Sequence, residues 1–180
     1  LDKRKNDLAS IERDTKPLEN ITSPFPRITY SNAVKLLTEK GEQFEWGEDF
    51  GAPHESIISK NFDKPVHVTH FPSTIKPFYM KRLPEDEKIA LGFDMLAPEG
   101  YGEIIGGGQR EDDIKTLEKR IKDENLPTKS FQWYLDLRRY GSVPHSGFGL
   151  GIERTITWIC GIHHIRESIA FPRLLDRVYP

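Results

Sequence analysis

The densest concentration of chemically suggestive residues is Gly147-Phe148-Gly149-Leu150-Gly151-Ile152-Glu153-Arg154. Glycine at every second position strips side chains from one face of a strand, so a flat ring can lie against bare backbone. An apolar helix is expected to follow, through Ile156 and Ile159 to a stop at Gly161. It would hold the Arg154 guanidinium at a fixed height, where its planar donors can grip a phosphate. Glycines at a helix start also serve tight strand-to-helix packing. Alternating glycines that run into Glu-Arg favour the nucleotide seat.

A second constellation lies in Asp94-Met95-Leu96-Ala97-Pro98-Glu99-Gly100-Tyr101-Gly102-Glu103. A tight turn centred on Pro98-Glu99 would set Leu96 against Tyr101, Met95 against Gly102 and Asp94 opposite Glu103, with both carboxylates on one face. Like charges so placed are costly unless a cation lies between them or one keeps its proton. A hard divalent ion carrying phosphate oxygens, expected to be Mg2+, is the natural guest. A longer turn would slip the register and send both acids to solvent.

Arg110 has the opposite parity to Glu103 in a regular strand. A bulge in Gly106-Gly107-Gly108 would return it to the same face, to hold a carbonyl or carboxylate. Pairing with Glu111 or Asp112 is the alternative. His67 and His70 point to opposite faces, and His163-His164 lie beyond a helix end, so neither pair resembles a metal site. His145 could orient the loop before the glycine run or serve a purely structural hydrogen bond. Phe131, Trp133, Tyr134 and Trp158 sit at helical spacing among aliphatic residues and read as core.

The elements that must position these groups belong to a chain of 180 residues with 36% hydrophobic and 30% charged content, suited to one domain. With 26 Lys+Arg against 28 Asp+Glu, a nucleic-acid partner has to be met by a local patch. Cys160 has no cysteine partner and reads as a small buried residue in a reducing, cytoplasmic setting. No apolar run suits a membrane span, and no membrane partner is expected. The start at Leu1, inside a charged segment, reads as a cut in a longer protein.

Residues 1–24 are expected to form a surface helix and linker, with Leu1, Leu8 and Ile11 as its apolar positions. A short helix capped by Ser31 then runs to Gly41, followed by a connection from Gly47 to His54. Strands are expected at Val66–Phe71, Ile89–Leu96 and from Tyr101 to the glycine cluster. Helices are expected over residues 112–124, Ser130–Tyr140 and after Gly151. Strands joined by hairpins, with helices between and after them, give an α+β class with an antiparallel β-sheet flanked by helices.

Taken together, FDMLAPEGYGEIIGGGQRE, YLDLRRYGSVPHSGFGLGIER and IRESIAFPRLLDRVYP resemble the C-terminal part of the catalytic domain of class II aminoacyl-tRNA synthetases of the aspartyl/asparaginyl/lysyl group. The resemblance covers residues 25–180, and the glycine run ending in Glu-Arg matches the third signature motif of the class. WGEDFGAPHE and LDLRRYGSVPHSGFGLG look most like the bacterial asparaginyl members.

The resemblance implies ATP and Mg2+ as cofactors, asparagine and tRNA(Asn) as partners, and a homodimer in the full-length enzyme. It also implies roles at matching positions: Arg154 on the ATP γ-phosphate; Gly149, Gly151, Ile152 and Glu153 lining the ATP site; Asp94 and Glu103 on Mg2+ and the phosphates. Arg110 would contact the side-chain carbonyl of the amino acid, and Lys76 would be a wall of its pocket. Arg154, Glu103 and Arg110 would carry the catalysis. The first and second motifs of the class have no match, so these residues alone are expected to be inactive. An aspartyl enzyme, a synthetase-like enzyme making asparagine, and a noncatalytic nucleotide-binding module are the competing readings.

Overall fold

The computed structural model describes residues 1–179. The N-terminal segment forms two short helices, α1 (Lys5–Ser10) and α2 (Lys16–Glu19). Glu12 takes a left-handed φ of 57° just past the first, and Pro17 suits the opening turn of the second. β1 (Arg27–Thr29) then leads into α3 (Tyr30–Glu39). Its cap is Thr29 rather than Ser31: the Thr29 hydroxyl accepts from the Asn32 N–H. Tyr30, Ala33 and Leu37 make the buried stripe of α3.

The expected connection before His54 hides a helix, α4 (Ala52–Ser59), with Pro53 in its first turn. Its opening Gly51-Ala52-Pro53 has loop composition, and only its far end, at Ile58 and Ser59, is fully buried, so no helical period shows in the sequence. Four strands follow: β2 (Val66–Pro72), β3 (Arg82–Leu83), β4 (Asp86–Ala97) and β5 (Gly102–Gln109). Two helices, α5 (Ile114–Asp123) and α6 (Gln132–Arg139), lead to β6 (Ser146–Leu150) and α7 (Ile152–Cys160).

The strands form one sheet in the order β1-β2-β4-β5-β6, with β3 also on β4. β1 and β2 are parallel and the other pairs antiparallel, so the class is α+β. One face of the sheet is covered by α3 and α4, around Tyr30, Leu37, Ile58, Val66, Val68 and Leu96. The other face receives Leu18 of α2 and Trp158 of α7 against Met95, Ala97 and Ile104. A third cluster joins α5 and α6 through Leu117, Ile121 and Leu135, packed on Phe78. Each such side chain contributes roughly 1.5–3 kcal/mol on burial, so these clusters, not surface ion pairs, set the frame.

Two expected core residues lie outside it. Trp133 is 65% exposed and Cys160 only half-buried. Trp133 is two residues from the buried Leu135 and so turned roughly 200° away from it, and Cys160 is the last residue of α7, past the buried Thr157 and Trp158. Among the described residues no helix is long and apolar enough to cross a membrane.

Candidate active site

The β4–β5 hairpin does not turn at Pro98-Glu99. Ala97 faces Gly102 and Leu96 faces Glu103. Glu99 and Gly100 both take left-handed φ, 62° and 89°, which lengthens the loop. The direct opposition of Asp94 and Glu103 expected from a tight turn is therefore incorrect. The register slips by two residues, however, so Glu103 stays on the face of Asp94, opposite Leu96. A β-bulge at Ile104 then shifts the rest of β5, so that Met95 faces Ile105 and Asp94 faces Gly106.

That bulge has the effect expected of one in the glycines, at a different place. Pairing through Gly106, Gly107 and Gly108 is unbroken on both sides, and the parity change comes from Ile104. It brings Gly106, Gly108 and Arg110 to the face of Asp94 and Glu103. The two carboxylates converge there: a Cβ on Gly106 would lie 2.6 Å from Glu103 Oε1 and 3.4 Å from Asp94 Oδ1.

Glycines line up in rows across the sheet, Gly92-Gly108-Gly147 beside Asp94-Gly106-Gly149. Most are seats for a neighbour's side chain. A Cβ on Gly92 would meet the Lys76 stem at 3.7 Å, one on Gly108 would overlap the Met80 sulfur, and one on Gly147 would come 3.0 Å from the Arg110 guanidinium. At Gly149 it would meet nothing within 4 Å. The bare backbone expected along the whole glycine run is thus confined to Gly149.

Lys76 reaches both oxygens of Asp94, at 3.0 and 2.8 Å, and lies 3.7 Å from the centre of the Phe71 ring. The pair is nearly enclosed, with side chains 13% and 17% exposed. Burial pushes the Asp94 carboxyl above its ordinary value, and Lys76 opposes the shift. Arg110 stacks 4.6 Å from the centre of the Tyr79 ring and has no acid partner among the described residues. The two acids beside it are taken: Glu111 by Arg120 at 3.1 Å and both Glu111 and Asp112 by Lys81. The Arg110 N–H donates to the His145 carbonyl at 2.9 Å, and the His145 ring nitrogen Nδ1 lies 2.8 Å from the Val143 carbonyl, a local structural contact. Lys76, Tyr79, Asp94, Glu103, Arg110 and Gly149 line a cavity of about 260 Å³.

Arg154 stands at the edge of this site. Its Nη1 donates to the Glu103 carbonyl at 2.8 Å and lies 3.8 Å from Glu103 Oε2, with half the side chain exposed. A Cβ on Gly151 would press on the Arg154 stem at 3.3 Å, so the glycine lets the arginine fold back toward β5. Arg154 lines an adjoining cavity of about 500 Å³ with Glu55, Tyr101, Thr157 and His163. Ile152 and Glu153 are exposed in the first turn of α7 and line neither cavity. Among the described residues no three His, Cys, Asp or Glu side chains gather as a metal site, so a cation here has two carboxylates at most.

Glu55, Tyr79 and Met80 were not legible as site residues. Nothing in the spacing of Tyr79 and Met80 marks them, and the acid in Pro53-His54-Glu55 lies in a segment without a helical signal.

The family model described as tRNA synthetases class II (D, K and N) matches residues 3–175. The asparagine–tRNA ligase of Desulforamulus reducens is 61% identical over the whole chain, and that of Pelotomaculum thermopropionicum 58%. The chain spans 42% of the length of these curated relatives. Among solved structures, asparaginyl-tRNA synthetase from Pyrococcus horikoshii in complex with asparaginyl-adenylate superposes with a TM-score of 0.95 at 51% identity, over 98% of this chain and 41% of that one. An aspartyl-tRNA synthetase from Entamoeba histolytica gives 0.81 at 32% identity, over 89% of this chain and 34% of that one.

Proposed function

The chain belongs to the class II tRNA synthetases of the aspartate, lysine and asparagine group, and from that premise we propose that it forms the amino-acid and phosphate side of an asparagine-activating site. In the reaction, a carboxylate oxygen of asparagine attacks the α-phosphorus of ATP, forming the adenylate as the bond to pyrophosphate breaks. Transfer to tRNA(Asn) follows, in a homodimeric cytoplasmic enzyme. The observation that carries the reading is Arg110, a cation without an acid partner among the described residues, set across glycine-floored backbone from Asp94 and Glu103.

Arg110 points its planar donors at the side-chain carbonyl of the amino acid, steadied by the Tyr79 ring. Lys76, held on Asp94, forms one wall, and Gly149 leaves room for a ring against β6. Arg154 spends one donor on Glu103 and keeps the rest for the terminal phosphate. Gly151 gives that arginine its room, while Ile152 and Glu153 carry it on the first turn of α7. Hard carboxylate oxygens converging over Gly106, beside a cavity open to phosphate and water oxygens, fit Mg2+. Asp94 and Glu103 would hold it. When bound, such an ion offsets negative charge on the phosphates. The protein's own contribution is to fix charges in place before reaction.

Asparagine-dependent ATP–pyrophosphate exchange by the full-length protein tests this, with aspartate, and aspartate plus ammonia, as comparison substrates. Preference for either over asparagine would overturn the assignment. The 180 residues alone are proposed not to support exchange. Of the cations lining the cavity, Lys76 is spent on Asp94 and Arg110 serves the side chain, leaving none for the α-phosphate.

A further inference from the structure

Glu103 sits where the bulge takes the backbone out of regular pairing, and both of its main-chain groups are met by side chains. Its N–H donates to Glu55 Oε2 at 2.9 Å, and its carbonyl accepts from Arg154 Nη1 at 2.8 Å. The neighbouring Ile104 carbonyl accepts from the Gly151 N–H at 2.9 Å. A buried backbone group left unpaired is costly, so these partners decide whether the bulge stays at Ile104 or slides along β5. Glu55 does this from α4, on the sheet face opposite the one that α7 covers.

The fit around Glu55 is close. A Cβ on Gly102, whose φ is 74°, would lie 2.7 Å from Glu55 Oε2. Burial pushes the Glu55 carboxyl above its ordinary value, while the Glu103 N–H and Arg154 pull it down. Glu55 is not among the groups proposed above to touch substrate.

We infer that Glu55 is a positioning residue: by accepting the Glu103 N–H it pins the bulge at Ile104, and so holds the Glu103 carboxylate and Arg110 on the face of Asp94. If the bulge is lost or moves out of the stretch between Glu103 and Arg110, one of the two leaves that face; if it slides within that stretch, past Gly106, that glycine no longer lies beneath the Glu103 carboxylate and the carboxylate is displaced. The inference rests on the adenylate-forming reading for what the site binds. It needs Glu55 as an acceptor, not as a charge.

The test is MgATP affinity by isothermal titration calorimetry on the full-length protein, with KM for MgATP and for asparagine measured beside it. Glu55→Ala is expected to weaken MgATP binding by about tenfold, the scale of a buried N–H left without its acceptor. Glu55→Gln, which keeps an acceptor oxygen, is expected to stay within about twofold of wild type. Wild-type affinity in Glu55→Ala overturns the inference, as does a Glu55→Gln loss as large as that of alanine. If Glu55→Ala fails to fold, Gly102→Ala decides, because its methyl drives the carboxylate off the Glu103 N–H. Weakened MgATP binding in that variant supports the inference, and unchanged binding overturns it. A wild-type protein that binds MgATP without exchange overturns the activity reading alone; one that binds no MgATP overturns both.

Discussion

Gly149→Ala separates the folding role of the glycine run from its binding role. The new methyl would meet nothing within 4 Å, and Gly149 is not among the glycines with positive φ. Alanine there costs no strain in the free protein. It narrows the unfolded ensemble, which stabilises by about 0.4–1 kcal/mol, or a rise of up to roughly 2–4 °C in Tm for a chain of this size. A ring lying on the same backbone would be pushed away, and inserting a methyl into a packed contact costs about 1–3 kcal/mol. At 1.4 kcal/mol per tenfold, MgATP affinity falls by a factor of about 5 to 150. Thermal melts and calorimetric titration read the two effects on one sample. Unchanged MgATP affinity would show that no ring rests on Gly149. A Tm lowered by several degrees would show that the space above it is not open.

Other substitutions probe the frame. Arg13→Ala removes a guanidinium that holds both carboxylate oxygens of Glu99, at 3.0 and 2.7 Å, and the carbonyls of Trp158 and Ile159 at the end of α7. It is expected to cost about 1.5–3 kcal/mol in urea unfolding, and a double-mutant cycle with Glu99→Gln that finds no coupling would count against the ion pair. Glu55 also gives a pH signature. Its native pKa is raised by burial, with Asp94 and Asp49 adding to the rise and the Glu103 N–H and Arg154 opposing it, so it stabilises when protonated, below its ordinary value of 4.5, and loses that contribution as pH rises through the native value. Wild type should therefore fall in stability relative to Glu55→Gln across that range, and a difference that stays constant or moves in favour of wild type would contradict the burial.

The residues carrying charge were legible because their types are unusual where they stand. Glycines in alternation, two acids flanking a turn and an arginine at a helix start each demand an explanation from sequence alone. What was illegible is non-local. Nothing in Ile104 announces a bulge, since the groups that settle it are Glu55 on α4 and Arg154 on α7, far away in the chain. Lys76 gave no sign that its ammonium would be spent on Asp94. The alternation of Gly147, Gly149 and Gly151 suggests space cleared for a ligand, and only the structure shows Arg110 and Arg154 lying against two of those three glycines.

The expected convergence of Asp94, Glu103 and Arg110 survived a mistaken turn because a strand conserves parity, not position. Lengthening the Pro98–Tyr101 loop moved Glu103 from opposite Asp94 to opposite Leu96, an even step that keeps its face. Arg110 needed an odd step, and one bulge anywhere between Glu103 and Arg110 supplies it. Its placement at Ile104 still matters: with the extra residue before Gly106, it is Gly106 and Gly108 that share the active face, under Glu103 and Met80. A bulge after Gly108 would bring Gly107 to that face instead, and Gly107 has its own crowding, with the Gly147 carbonyl and Phe148 Cβ both 2.7 Å from where its Cβ would be. All three glycines are therefore required by the register that the bulge sets, Gly107 for the approach of β6 and the other two for side chains of the site. Alanine at Gly106 should accordingly displace the Glu103 carboxylate and weaken MgATP binding, whereas alanine at Gly107 should loosen the pairing of β5 with β6 and appear first as lost stability.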